Sequence, residues 1–249
     1  AHCDPSLDTG EVGLLVGPLT AAADAIEVTL TGRGGHTSRP HLTQDLTFAL
    51  AKVITDVPAA LSRRLDPRAG AVLVWGHVES GVAPNVIPST GTASGTLRML
   101  DAEAWAGVGP LVEELVTAVV SPYGVQAETR YVPGVPPVVN ERASVDALRE
   151  GVAFAGSDAV PTSQSLGGED FAWYLTLVPG AMARLGTRPL GGPTYDLHQG
   201  DLVVDEAAVI LGAKVLVGAA IASIPQLDAE RAAPPNGSED DNGSEDDNR

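Results

Sequence analysis

Between Ala25 and Thr31 apolar and polar residues alternate, AIEVTLT, the two-residue period of a strand with one buried face. From Leu46 the period lengthens. Leu46, Ala49, Leu50, Val53, Ile54 and Val57 recur at the spacing of one helix face, which predicts a helix with Thr43 as its N-cap that ends near Arg63 to Pro67. Ala71 to Val78 and Thr90 to Met99 are β-branched or alternating, and the Gly- and Pro-containing stretch ESGVAPNVIPS separates them as two strands. A second amphipathic helix is expected after Asp101, its N-cap, with Val108, Leu111, Val112, Leu115 and Val119 on one face. Val125 to Val132 closes the series as a strand.

Strand, helix, strand, strand, helix, strand is the order of a split-βαβ, ferredoxin-like domain, a two-layer sandwich expected over residues 23–136. Pro133 to Pro137 then reads as a connection. The remainder, residues 137–226, reads as α/β pieces: a helix near Ala143 to Phe154, a helix opening after GGED, a strand at Ala181 to Gly186, and a long final helix. Residues 1–22 have no partner in their own neighbourhood and are expected to join these pieces in one sheet, so that the ferredoxin-like unit is an insertion. With roughly 110 residues the α/β part sits near the low end for a self-sufficient doubly wound domain. Together with the lack of an initiator methionine, this leads to the expectation of further chain upstream. Residues 227–249 are expected to form a disordered acidic tail, because the hexapeptide NGSEDD, repeated at Asn236 to Asp241 and Asn242 to Asp247, has nothing apolar to bury. Both copies match the N-x-S sequon, and neither is expected to be glycosylated.

Composition narrows the partners. A chain of 249 residues with 44% hydrophobic content can bury one or two sizeable cores. Its formal net charge of -17 repels nucleic acid and anionic membranes, leaving a small molecule or another protein. A single cysteine, Cys3, cannot close an intramolecular disulfide, and the first residues lack the basic and apolar regions of a signal peptide, so the expected compartment is the cytoplasm. Ala207 to Ile224 approaches membrane-spanning length. Gly212, Lys214 and Gly218 interrupt it, and its small residues suit a packed helix.

Five histidines are the natural starting point for metal or acid–base chemistry. His77, alone in its strand, reads as structural. The other contexts are AHCDP, GRGGHTSRPH and DLHQGD, accompanied by GVAPNVIP, GTLR and GGEDF. In this order and spacing, from Ala1 to about Ile224, they resemble the two-metal amidohydrolases that include hippurate hydrolases, aminoacylase-like carboxypeptidases and the hydrolases of auxin conjugates.

The resemblance implies a zinc-peptidase-like α/β catalytic domain carrying an inserted ferredoxin-like lid and dimerisation domain, with a homodimer as the assembly. It implies two divalent metal ions, zinc first and manganese, cobalt or nickel as alternatives. His2 would be a terminal ligand of one ion and His198 of the other, each ring needing an acceptor for its second nitrogen. The family's HSP reads HQG here, so the loop after His198 departs from the pattern. Cys3, on the opposite strand face from His2, reads as a structural thiol. His36 matches the histidine that reaches into a partner's active site and stabilises the oxyanion. Asn85 and Arg98 match residues that bind the substrate carboxylate or the scissile carbonyl, for which the planar fork of Arg98 is suited. Judged without the resemblance, Arg98 reads equally as a strand-end surface charge. Gly167 and Gly168 read either as a place where an anionic end group approaches backbone N–H groups at a helix start, or as a turn capped by Asp170. The motifs that would supply the bridging carboxylate, further ligands and the general-base glutamate fall before Ala1, so the chain alone is expected to be inactive. Three functions follow: hydrolysis of N-acyl amino acids or related carboxylate-ended amides; a non-catalytic dimerising or ligand-binding module from a truncated gene; or a dipeptidase or biosynthetic deacylase on the same scaffold.

Overall fold

A computed structural model of the chain describes residues 1–232. The strands are β1 (His2–Asp8), β2 (Glu11–Leu14), β3 (Gly17–Thr20), β4 (Ala22–Thr31), β5 (Gly35–His36), β6 (Val72–Ser80), β7 (Val86–Ile87), β8 (Thr90–Met99), β9 (Gln126–Val135), β10 (Val138–Asn140), β11 (Asp158–Pro161) and β12 (Arg184–Arg188). The helices are α1 (Leu46–Arg64), α2 (Ala102–Val120), α3 (Arg142–Ala155), α4 (Ala172–Leu175) and α5 (Ala207–Ala232).

Along β4 the alternation becomes burial: Ala22, Asp24, Ile26, Val28 and Leu30 point inward. An antiparallel sheet of order β6-β8-β4-β9 surrounds it, and α1 and α2 bury their apolar faces against the sheet in one core with Val28, Leu50, Val53, Leu97 and Val112. Burying each such side chain contributes about 1.5–3 kcal/mol. Helix α1 begins at Leu46 rather than after Thr43. The Thr43 hydroxyl donates to the Pro40 carbonyl at 2.9 Å in a preceding 3-10 turn, and Asp45 is the N-cap, accepting from the Phe48 amide at 3.1 Å. Asp101 caps α2 by accepting from the Ala104 amide at 2.8 Å.

Asp24 is the polar exception in this core. Its carboxylate accepts hydrogen bonds from Trp105 Nε1 and the Gly134 amide, both at 2.8 Å, and from the Tyr131 hydroxyl, which offsets the cost of burying it. Burial, reinforced by that hydrogen bond and the nearby charge, pushes the Tyr131 phenol well above its ordinary value. The register of β9 against β4 shifts between Ala23 and Ala25, and Gly134 fills the resulting bulge. A Cβ there would run into the Ala23 carbonyl.

The second sheet has the order β1-β12-β2-β11, so strands from the first residues of the chain pair with strands near its end. Helices α3 and α5 cover one face, with Val12, Leu14, Val152, Ala183 and Val215 in the shared core. Gly151 and Gly218 let the two helices cross closely, since a Cβ on Gly218 would sit 2.8 Å from Gly151 Cα. Ala102–Tyr123 and Ala207–Ile224 are long and apolar enough to cross a membrane by length and composition. Both contribute to these packed cores, although α5 also exposes Val209, Ile210, Val217 and Ile221. A short antiparallel pair, β3 with β10, sets Thr20 opposite Val138 at the passage between the two sheets.

Three local expectations are corrected. The strand expected at Ala181 to Gly186 starts at Arg184, because the Met182 amide and carbonyl both bond the side chain of Asn140, at 2.8 and 2.9 Å. The helix expected after GGED is the single turn α4, whose N-cap Phe171 has no side-chain cap. The final helix runs to Ala232, into the segment assigned to the tail, while both NGSEDD copies lie outside the described residues.

Candidate functional site

Residues 165–169 form a loop pinned between the two sheets. The Ser165 amide donates to the Leu19 carbonyl at 2.9 Å, and the Ala21 amide donates to the Ser165 carbonyl at 3.1 Å. Gly168 is wedged against the start of β4 and the end of β9, where a Cβ would lie 2.8 Å from Ala23 Cβ and 2.9 Å from Val135 Cγ2. Gly167, by contrast, faces open space, with Ser165 Oγ 3.7 Å from an added Cβ. Because α4 is one turn long and begins beyond Asp170, neither a helix N-terminus for an anion nor a cap by Asp170 is present here. Close packing accounts for Gly168, while the backbone of Gly167 stays accessible.

Two candidate residues converge on this loop. Arg98, in register with Ala23 on the neighbouring strand, donates from Nη1 to the Leu166 carbonyl at 3.2 Å. His2 opens β1 and is partly buried. Its Nδ1 lies 2.7 Å from the Cys3 carbonyl, which can only accept, so in the neutral ring Nδ1 carries the proton and Nε2 the lone pair. Nε2 lies 3.8 Å from Glu169 Oε2. Glu169 was not singled out in the sequence; its signal was the GGED run, read there as a helix start.

His36 and Asn85 form a separate group. Strands β5 and β7 pair His36 with Val86, and the Thr37 amide donates to the Asn85 carbonyl at 3.1 Å. His36 Nδ1 accepts from the Ser38 amide at 3.1 Å, with Ser38 Oγ at 2.8 Å. The neutral ring therefore carries its proton on Nε2, where it can donate outward, the opposite tautomer to His2. An open, largely apolar cleft of about 760 Å³ lies beside this pair, lined by Gly35, Val82, Val86, Ile87 and Thr92 among others. His77 is exposed on β6, 3.8 Å from Glu79.

His198 lies in a loop after β12, with a left-handed backbone of φ 63°, and no hydrogen bond or ion pair among the described residues joins its side chain to either group. Arg188 holds the start of that loop, donating from Nε to Asp8 Oδ1 at 2.6 Å and from Nη1 to Thr194 Oγ1 at 2.8 Å. Among the described residues no group of three or more His, Cys, Asp or Glu could hold a metal ion. His2 and Glu169 are chemically suited to a divalent ion, since an imidazole oriented through its other nitrogen faces a carboxylate. A closed zinc site takes about four ligands. These residues alone do not complete one.

The profile of peptidase family M20/M25/M40 matches residues 1–222. A Rhodococcus jostii protein provisionally named glutamate–cysteine ligase 2-3 is 45% identical over 218 residues, which span 87% of this chain and 28% of that protein. N-acetylcysteine deacetylase of Bacillus subtilis is 31% identical over 220 residues, 88% of this chain and 57% of the relative. The crystal structure of a Bacillus subtilis protein described as a dinuclear metal-binding peptidase of the M20 family superposes with a TM-score of 0.72 at 28% identity, covering 90% of this chain and 56% of that one. The chain thus spans little more than half the length of the second and third of these, and less of the first. By that match and these likenesses, the chain belongs to peptidase family M20/M25/M40.

Proposed function

We propose that this chain is the lid-bearing part of a metal-dependent amidohydrolase that cleaves N-acyl amino acids or related carboxylate-ended amides. The observation that carries this reading is the convergence of Arg98 and His2 on one loop, a guanidinium from the antiparallel sheet and an imidazole–carboxylate pair from the other. Arg98 would grip the substrate carboxylate, and the amide would lie toward His2 and Glu169. Relatives named N-acetylcysteine deacetylase, N-acetyldiaminopimelate deacetylase and thermostable carboxypeptidase 2 support the substrate class, since the first two names specify N-acyl amino acids and the third a carboxypeptidase.

The unit from β4 to β9 is read as a ferredoxin-like lid, with β6 as the open edge through which two copies would pair as a homodimer. His36, exposed and carrying its proton on Nε2, would then act as the oxyanion donor in the partner's site, with Asn85 beside it. Two divalent ions, bound with ligands from elsewhere in the full protein, would supply an activated water at neutral pH. This chain's own share is to orient His2 through the Cys3 carbonyl, to hold the carboxylate on Arg98, and to cover the site. The test is acetate release from N-acetylmethionine by the product of the whole reading frame that contains this sequence, with and without chelator. Chelator-sensitive turnover is expected. A metal-replete, folded product that hydrolyses no N-acyl amino acid would sink the reading.

A further inference from the structure

Arg184 lies directly beside His2, its register partner in the parallel pair of β12 with β1, and register partners carry their side chains on the same sheet face. Its chain neighbours Ala183 and Leu185 pack into the core under α3 and α5, which places Arg184 on the opposite face, the one that His2 shares. Gly13 makes room for it there, since an added Cβ would come within 3.1 Å of Arg184 Cβ. The residue is only 8% exposed. Its described side-chain hydrogen bond runs from Nη2 to Ser165 Oγ at 3.0 Å, and no ion pair among the described residues includes it.

A guanidinium has five N–H donors and stays charged at any working pH, so burying one without an anion is costly. Arg98 is likewise absent from the ion pairs and bonds the very next residue of the loop, Leu166. Two arginines from different sheets therefore bracket consecutive residues whose Cα atoms are about 3.8 Å apart. Arg184 is paired with His2, and Arg98 Nη1 comes within 3.7 Å of a Cβ added at Gly168, the residue before Glu169.

We propose that Arg184 is a specificity-determining residue that receives a second carboxylate of the substrate, so that the preferred substrate is an N-acyl amino acid with an acidic side chain. This rests on the reading of Arg98 as the grip for the first carboxylate. A carboxamide in the place of the second carboxylate would leave the buried guanidinium without its anion, and a site built for a charged partner discriminates strongly against such an analogue.

The test is calorimetric titration of the full chain with N-acetylglutamate and with N-acetylglutamine, nearly equal in shape, using the wild type, Arg184→Met and Arg184→Lys. The wild type is expected to favour the glutamate derivative by about tenfold or more. Arg184→Met should erase that preference, read as the ratio of the two affinities within each variant, and Arg184→Lys should keep part of it. Equal binding by the wild type, or a preference that survives in Arg184→Met, overturns the proposal and leaves Arg184 as a brace for Ser165, with the N-acyl amino acid reading intact. Binding of neither compound overturns both. If Arg184→Met does not fold, the wild-type ratio decides, because it needs no variant.

Discussion

His2 Nε2 faces Glu169 Oε2 at 3.8 Å across the gap between β1 and the loop before α4. The ring is already oriented, with Nδ1 tied to the Cys3 carbonyl, so a divalent ion would meet a prepared nitrogen and a carboxylate. His2→Ala and Glu169→Gln are each expected to weaken cobalt or zinc binding by about tenfold or more, read by calorimetry or the cobalt absorption spectrum. Unchanged affinity in both variants would place the metal elsewhere.

Arg98→Met removes the donor to the Leu166 carbonyl and the cation proposed for the substrate carboxylate. Affinity for an N-acyl amino acid is expected to fall about 10- to 100-fold, the worth of a charge-assisted hydrogen bond, while the melting temperature changes little because Leu166 is half exposed. A large loss of stability with unchanged affinity would make Arg98 a structural strut.

Asp24→Ala would strip the shared acceptor from Trp105, Tyr131 and the Gly134 amide at once. A destabilisation of about 2–4 kcal/mol is expected, read from urea midpoints with Trp105 fluorescence as one probe. A change under about 0.5 kcal/mol, the range of ordinary surface substitutions, would show that the three donors find other partners.

Glu141 caps α3, accepting from the Ala143 and Ser144 amides, and these bonds hold its carboxyl below the ordinary value of 4.5. A carboxyl depressed on folding contributes stability that is complete above the unfolded value and is lost as pH falls through the folded one. Because the side chain is only partly buried, the cap is worth only about 0.5–1 kcal/mol. Thermal melts of wild type and Glu141→Ala should therefore differ at pH 7 and converge as the pH falls below the ordinary carboxyl value of 4.5. A gap that persists in acid would mean that the carboxylate form is not what caps the helix.

Local patterns were legible wherever a single stretch of chain decides the outcome. The strand at Thr90 to Met99 and the cap at Asp101 follow from alternation and from one side chain reaching three residues on. Thr43 lost its place as a cap because Pro40 starts a 3-10 turn that claims its hydroxyl, and Ala181 to Ala183 fell outside the strand because Asn140, some 40 residues earlier in the chain, takes the hydrogen bonds of Met182. The same limit governs the site. Motifs pointed to His2, Arg98 and Gly168 individually, whereas the roles of Glu169 and Arg184 depend on which loop and which strand come to lie beside them. No periodicity within their own segments carries that relationship.

The pairing of Thr20 with Val138 has an architectural consequence. The whole excursion from β4 through β9 departs and returns at one point, so a turn of about two to five residues could splice Thr20 to Val138 and leave the β1-β12-β2-β11 sheet with its connections intact. Joined by two neighbouring strands, the excursion meets the Ser165 loop at its root, where Arg98, paired with Ala23, donates to the Leu166 carbonyl and ties the loop to the point from which the excursion departs.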